Sequence, residues 1–176
     1  APSIQSAVDG LMELAEDSHI SNNKYQKDVT DAMLRQPNSS ELIPFSQNSI
    51  PGIINASDYD LGTQGISYYD KDFATYHVST NEFQAWNQGW QYRNDGVDIQ
   101  NNSEADGNGF HVAFTDSDEW LIYTVDVENT GYYNLITRYS GEYSGNMSLL
   151  FNDQPIAENI YLYSTGNWNN FINKLT

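Results

Sequence analysis

The chain has 176 residues, enough for one ordinary domain plus an appendage, and 39% of them are hydrophobic, which supports a single core of modest size. Twenty-four acids against seven bases leave a formal charge of −17, a field that repels phosphate backbones and anionic lipid, so nucleic-acid and membrane partners are not expected, while neutral polymers stay open. There is no cysteine, which excludes disulfides, thiol catalysis and cysteine-ligated zinc, and no apolar run approaches the length of a membrane span.

The start, Ala1-Pro2-Ser3, has neither a charged n-region nor an apolar h-region and reads as a mature or internal beginning. Helical spacing follows at once. Ile4, Ala7, Val8, Leu11, Leu14, Ala15 and Ser18 share one face, with Ser3 placed as N-cap. A second helix is expected from about 23 to 36, with Tyr25, Val29, Ala32 and Met33 as its stripe and Pro37 as its stop. Two short amphipathic helices do not bury enough surface on each other to make a domain. Residues 1–44 are therefore read as the end of a preceding domain, or as a helical pair packed on something else. Residues 45–52 are read as a polar linker.

Strand periodicity takes over afterwards. Short candidates lie at 53–59, 65–69, 97–100 and 110–114. Alternation is clearest in 119–127, where Leu121, Tyr123, Val125 and Val127 take one face and Trp120, Ile122, Thr124 and Asp126 the other. Further strands are expected at 132–140, 147–151 and 156–163, parted by Asn-, Asp- and Gly-rich turns. Short strands at near-regular spacing indicate an all-β, antiparallel sandwich over residues 53–176, preceded by the short helical segment.

Enzymatic motifs are scarce. His19, His77 and His111 have no HExxH spacing, and there is no G-x-S-x-G elbow. Asp95, Asp98, Asp116, Asp118 and Glu119 could supply the two carboxyls of a glycosidase, yet several sit in turns, where acids are solvated or cap backbone amides. The run 102–108 has the oxygen alternation of a calcium loop, but Ala113 stands where the bidentate glutamate belongs.

The aromatics offer a different chemistry. Trp86, Trp90 and Tyr92 lie in a stretch rich in Gln, Asn and Gly, and Trp168 sits within Ser164-Thr165-Gly166-Asn167-Trp168-Asn169-Asn170. Such rings either anchor their loops on the sandwich or stand at its rim and cover the C–H face of a sugar. In the second case about 100 Å² of apolar contact gives about 2.5 kcal/mol, and each amide–hydroxyl bond adds about 1 kcal/mol.

Several segments resemble carbohydrate-binding module family 6. These are Ile54-Asn55-Ala56-Ser57-Asp58-Tyr59, the run Tyr92–Ile99, the run Val112–Val125 containing Glu119-Trp120, Gly131-Tyr132-Tyr133, and Thr165-Gly166-Asn167-Trp168, in that order over about 51–176. The resemblance implies a jelly-roll-type β-sandwich with a sugar cleft clamped by two aromatics, which by position are Phe114 and Trp168. It implies a polar contact from Asp98 or Asp95, and a second cleft around Trp120; the loop aromatics Trp90 and Tyr92 are further candidate contacts from their amide-rich setting. Glutamates that often hold a structural calcium in the family are replaced here by Asn55 and Ser57, so no cofactor is assigned and calcium stays open. Family members continue into further strands after the tryptophan loop, so the sandwich is expected to lack its last strands.

The resulting expectation is non-catalytic binding of a neutral polysaccharide of β-glucan, xylan, cellulose or agarose type, serving an adjacent glycoside hydrolase domain in a secreted or cell-surface protein. Two alternatives stand beside it: a fragment of the hydrolase's catalytic unit, and a structural or adhesion sandwich with no sugar site.

Overall fold

A computed structural model of the chain describes residues 3–36, 38–71, 92–93 and 95–176. Two helices precede an all-β region built from short strand pairs, most of them antiparallel. The chain falls into two compact units, Ala1–Glu128 and Asn129–Thr176.

In the first unit, α1 spans Ile4–Asp17 and starts where Ser3 caps it, the hydroxyl accepting the Ser6 amide at 3.1 Å. No residue of α1 is buried. The second helix, α2, spans Lys27–Leu34, shorter than the sequence pattern suggests. It is tied to the strand region at both ends. Lys27 Nζ donates to the Phe45 carbonyl at 2.7 Å, and Arg35, paired with Asp31 at 2.8 Å, reaches the Leu61 carbonyl at 3.2 Å.

The stretch between Pro44 and Gly52 does more than connect. Phe45 and Asn48 are buried, and β1 (Asn48–Ile50) runs parallel to β6 (Val125–Val127). Residues 53–59, expected as a strand, instead contain a 3-10 turn over Ala56–Asp58. The turn is closed by Asp58 N–H donating to the Asn55 carbonyl at 2.9 Å and by the Asn55 amide donating to the Asp58 carboxylate.

Among the described residues, the other strands of this unit are β2 (Tyr68–Tyr69), β3 (Ile99–Asn101), β4 (Phe110–Val112) and β5 (Trp120–Leu121). β2 pairs with β5 and β3 with β4, both antiparallel. The continuous alternation of 119–127 is divided between β5 and β6 because its partner changes. Ile122 bonds the backbone of Asp60 and Ser67, and Thr124 gives its N–H and hydroxyl to the Asp60 carboxylate at 2.9 and 2.6 Å. The alternation still sets the faces, since Leu121 and Tyr123 pack on the core of Tyr59, Tyr68, Val97 and Ile99.

A buried cation stands beside that core. Arg93 is 0% exposed. Its guanidinium lies 3.5 Å from the Tyr59 ring centroid and 4.4 Å from that of Phe45, pairs with Asp95 at 2.7 Å, and donates to the carbonyls of Ser57, Tyr59 and Asp60. One side chain thus welds the 57–60 segment to the 93–98 segment. The arrangement meets the condition for burying a charge, a close counter-charge with the remaining donors satisfied.

The second unit holds β7 (Ile136–Tyr139), β8 (Gly145–Phe151), β9 (Gln154–Leu162) and β10 (Ile172–Leu175). β8 and β9 form a hairpin whose loop residues, Asn152 and Asp153, both have positive φ, 49° and 60°. That is the geometry of a two-residue turn matched to strand twist, and Asn-Asp tolerates it. β10, which the periodicity did not reveal, pairs antiparallel with β7.

Candidate functional site

Trp168 is 56% exposed on a loop that hydrogen bonds hold from both sides. Thr165 N–H donates to the Gly141 carbonyl at 2.8 Å, and Gly141 N–H returns a bond to the Thr165 hydroxyl at 3.0 Å. Ser164 N–H donates to the Ser144 hydroxyl at 2.9 Å, the Ser140 hydroxyl to the Trp168 carbonyl at 2.6 Å, and the Asn170 amide to the Thr165 carbonyl at 2.7 Å. Gly166, at φ +86°, makes the bend that presents the indole. Small polar residues fold this way because their side chains replace the missing backbone ladder. Tyr143, on the facing 141–145 turn, meets Trp168 edge-to-face with centroids 6.2 Å apart.

The first unit carries its own exposed rings. Tyr69 and Trp120 are cross-strand partners on β2 and β5, with ring centroids 6.5 Å apart and planes 21° from parallel. They are 38% and 39% exposed, while Tyr68 and Leu121, one residue away on each strand, turn inward. Next to them Glu119 accepts the Lys71 amide at 3.0 Å and the Asp116 amide at 2.7 Å, fixing the 114–119 turn. Phe114 heads that turn, 52% exposed, with φ +51°. A bulky side chain in the left-handed region is strained, and such strain persists where the surroundings impose it.

The other residues singled out in the sequence lie elsewhere. Asp98 is 3% exposed, and its carbonyl accepts the Ala113 amide at 2.9 Å. Asp95 takes Arg93 and the Tyr59 hydroxyl. Tyr92 stacks on Phe110 at 4.5 Å and donates its hydroxyl to Asp58, which also receives the Asn108 amide at 3.1 Å. These three residues form hydrogen bonds inside the first unit and stabilise the segments between its strands. Trp90, with Trp86, falls outside the described residues.

Burial, above all, raises the phenol of Tyr68 to about 12 and pushes those of Tyr59, Tyr92 and Tyr123 well up. Burial also lowers the His111 imidazole. The positions implicated in a structural calcium are engaged in local hydrogen bonds. Asn55 spends its amide on Asp58 and Ser57 accepts from Asn108, and among the described residues no cluster of three or more His, Asp or Glu side chains could hold a metal.

Tyr69 and Tyr143 are exposed rings beside Trp120 and Trp168 that the sequence reading did not single out. The inward Tyr68 already implied an outward Tyr69 through strand alternation. Tyr143 carried no such signal, because it lies in a Gly-flanked turn.

Small, mostly antiparallel sheets that carry exposed rings, preceded by two helices, define the class, an all-β module. Residues 84–176 match the carbohydrate binding module of family 6, and the chain belongs to that family. Modules of this family typically bind carbohydrate and are non-catalytic. No curated protein matches the chain.

Proposed function

We propose that this chain binds a neutral polysaccharide on the exposed ring of Trp168 and thereby keeps an attached glycoside hydrolase near its substrate, in a secreted or cell-surface protein. The observation that carries the reading is an indole half open to solvent on a loop already closed by its own hydrogen bonds. A free ring that needs no rearrangement can lie against a pyranose at little ordering cost. Asn169 beside it offers a side-chain amide for hydroxyl groups, and Asn167 and Asn170, each already bonded once within the loop, retain further amide donors. Phe114 on its strained turn and the Tyr69–Trp120 pair are further ring contacts of the same chemistry, in a jelly-roll-type sandwich. Tethering raises local substrate concentration without chemistry of its own. β-Glucan, xylan, cellulose and agarose are the ligands to try.

Affinity electrophoresis against those polymers tests the reading. The wild-type chain should be retarded by at least one of them, and Trp168→Ala should abolish that retardation with thermal unfolding nearly unchanged. Retardation by none of them, or equal loss of binding and stability in the variant, would refute it.

A further inference from the structure

The second unit carries a cation with no matching acid. In a chain with 24 acids and seven bases, Arg35, Lys71 and Arg93 each have a carboxylate within ion-pair distance. Among the described residues, Lys174 has none. Lys174 is half-buried on β10, with its ammonium 5.6 Å from the centroid of the Tyr163 ring. That is the outer margin of a cation–π contact, so the ring holds the charge in place without neutralising it. Tyr163 meets Tyr161 edge-to-face at 4.8 Å, and both are exposed. Asn146, exposed on β8, lies opposite Tyr161 in the hairpin register.

We infer that Tyr161, Tyr163 and Lys174 form a separate contact surface for an acid-substituted sugar, one whose ring bears a carboxylate or sulfate. Each part of such a ligand has its counterpart. The C–H face of the ring lies on tyrosine, the acid group meets the ammonium, and hydroxyls reach the Asn146 amide. A neutral sugar would satisfy only the rings. A small anion would satisfy only the ammonium and would still face the negative field of the whole chain. The acids of this unit are Glu142, Asp153 and Glu158 alone. This surface shares no residue with the Trp168 loop.

Backbone amide shifts of the isotope-labelled full chain read the surface directly, with glucuronic acid, glucose 6-sulfate, glucose and acetate as probes. Both acid sugars should move the amides of Tyr161, Tyr163 and Lys174 with millimolar half-saturation, and should weaken several-fold when salt rises from about 20 to about 200 mM. Glucose and acetate should bind at least about fivefold more weakly. Lys174→Gln should erase the preference for acid over neutral sugar, Lys174→Arg should keep it, and Trp168→Ala should leave it untouched. An effect of glucose or acetate as large as that of glucuronic acid would overturn the inference. So would an unchanged Lys174→Gln, or no shift with either acid sugar at saturating concentration. Failure here with retention on a neutral polymer intact leaves the Trp168 reading standing.

Discussion

The two units of this chain solve different problems with the same residue types. The first carries 21 of the 24 acids and five of the seven bases, a net charge of −16, and buries much of that polarity around Arg93, Asp58 and Asp60. The second is nearly neutral, at −1, and leaves Tyr143, Tyr161, Tyr163 and Trp168 at its surface. Aromatic content alone therefore says little. In the first unit Tyr59 and Tyr68 are core, with phenols pushed far from ionising, whereas in the second the rings stand on loops and strand faces with solvent around them. In the first unit the hydroxyls of Tyr59 and Tyr92 find carboxylate partners, Asp95 and Asp58, within the fold.

Removing the buried guanidinium is the strongest way to break the contrast. Arg93→Met leaves Asp95 and three carbonyls without their donor and should destabilise the first unit by about 3–5 kcal/mol in denaturant unfolding. A loss below about 1 kcal/mol would mean the cation is dispensable. Next comes Trp168→Ala. It should weaken polysaccharide binding by about 2.5 kcal/mol, roughly 70-fold, with little effect on unfolding.

Alkaline titration sharpens the comparison further. Tyr59, Tyr68, Tyr92 and Tyr123 have folded-state values above the unfolded value of about 10. The folded chain therefore holds these protons more tightly. Their contribution to stability is complete below about pH 10 and is lost as pH rises through the folded values, about 12 for Tyr68. Phenolate absorbance should show late-titrating groups, and Tyr68→Phe should remove one of them.

The smallest effect belongs to His111, whose imidazole burial holds below its usual value. Here the unfolded chain takes up the proton first. The stability contribution is intact above about pH 6.5 and falls as pH drops through that value toward the folded one. Unfolding free energy measured from pH 7.5 to 5 should decline less in His111→Gln than in the wild type.

Periodicity revealed the helices, the β8–β9 hairpin and the inward face of 119–127, because these depend on local spacing and on turn residues. It failed where side chains replace backbone ladders. Asp60 interrupts the 119–127 run by capturing Thr124, and the Asn55–Asp58 bond turns what looked like a strand into a 3-10 turn. It also failed at β1, whose polar Asn48-Ser49 reads as a connector until β6 is there to pair with it. Of the exposed rings, Trp168 in the second unit was legible as a ring among amides, and Trp120 in the first as a ring opposite a core face. Asp95 was not, since nothing in its neighbourhood along the chain announces that Tyr59, 36 residues earlier, will claim its carboxylate.

The closed loop around Trp168 has a kinetic consequence. Because residues 164–170 are already folded against the 140–144 segment, a saccharide bound as proposed would not wait for the chain to rearrange. Encounter rates should then be similar for all saccharides that reach the indole. Preference among them would be expressed in how long each one stays.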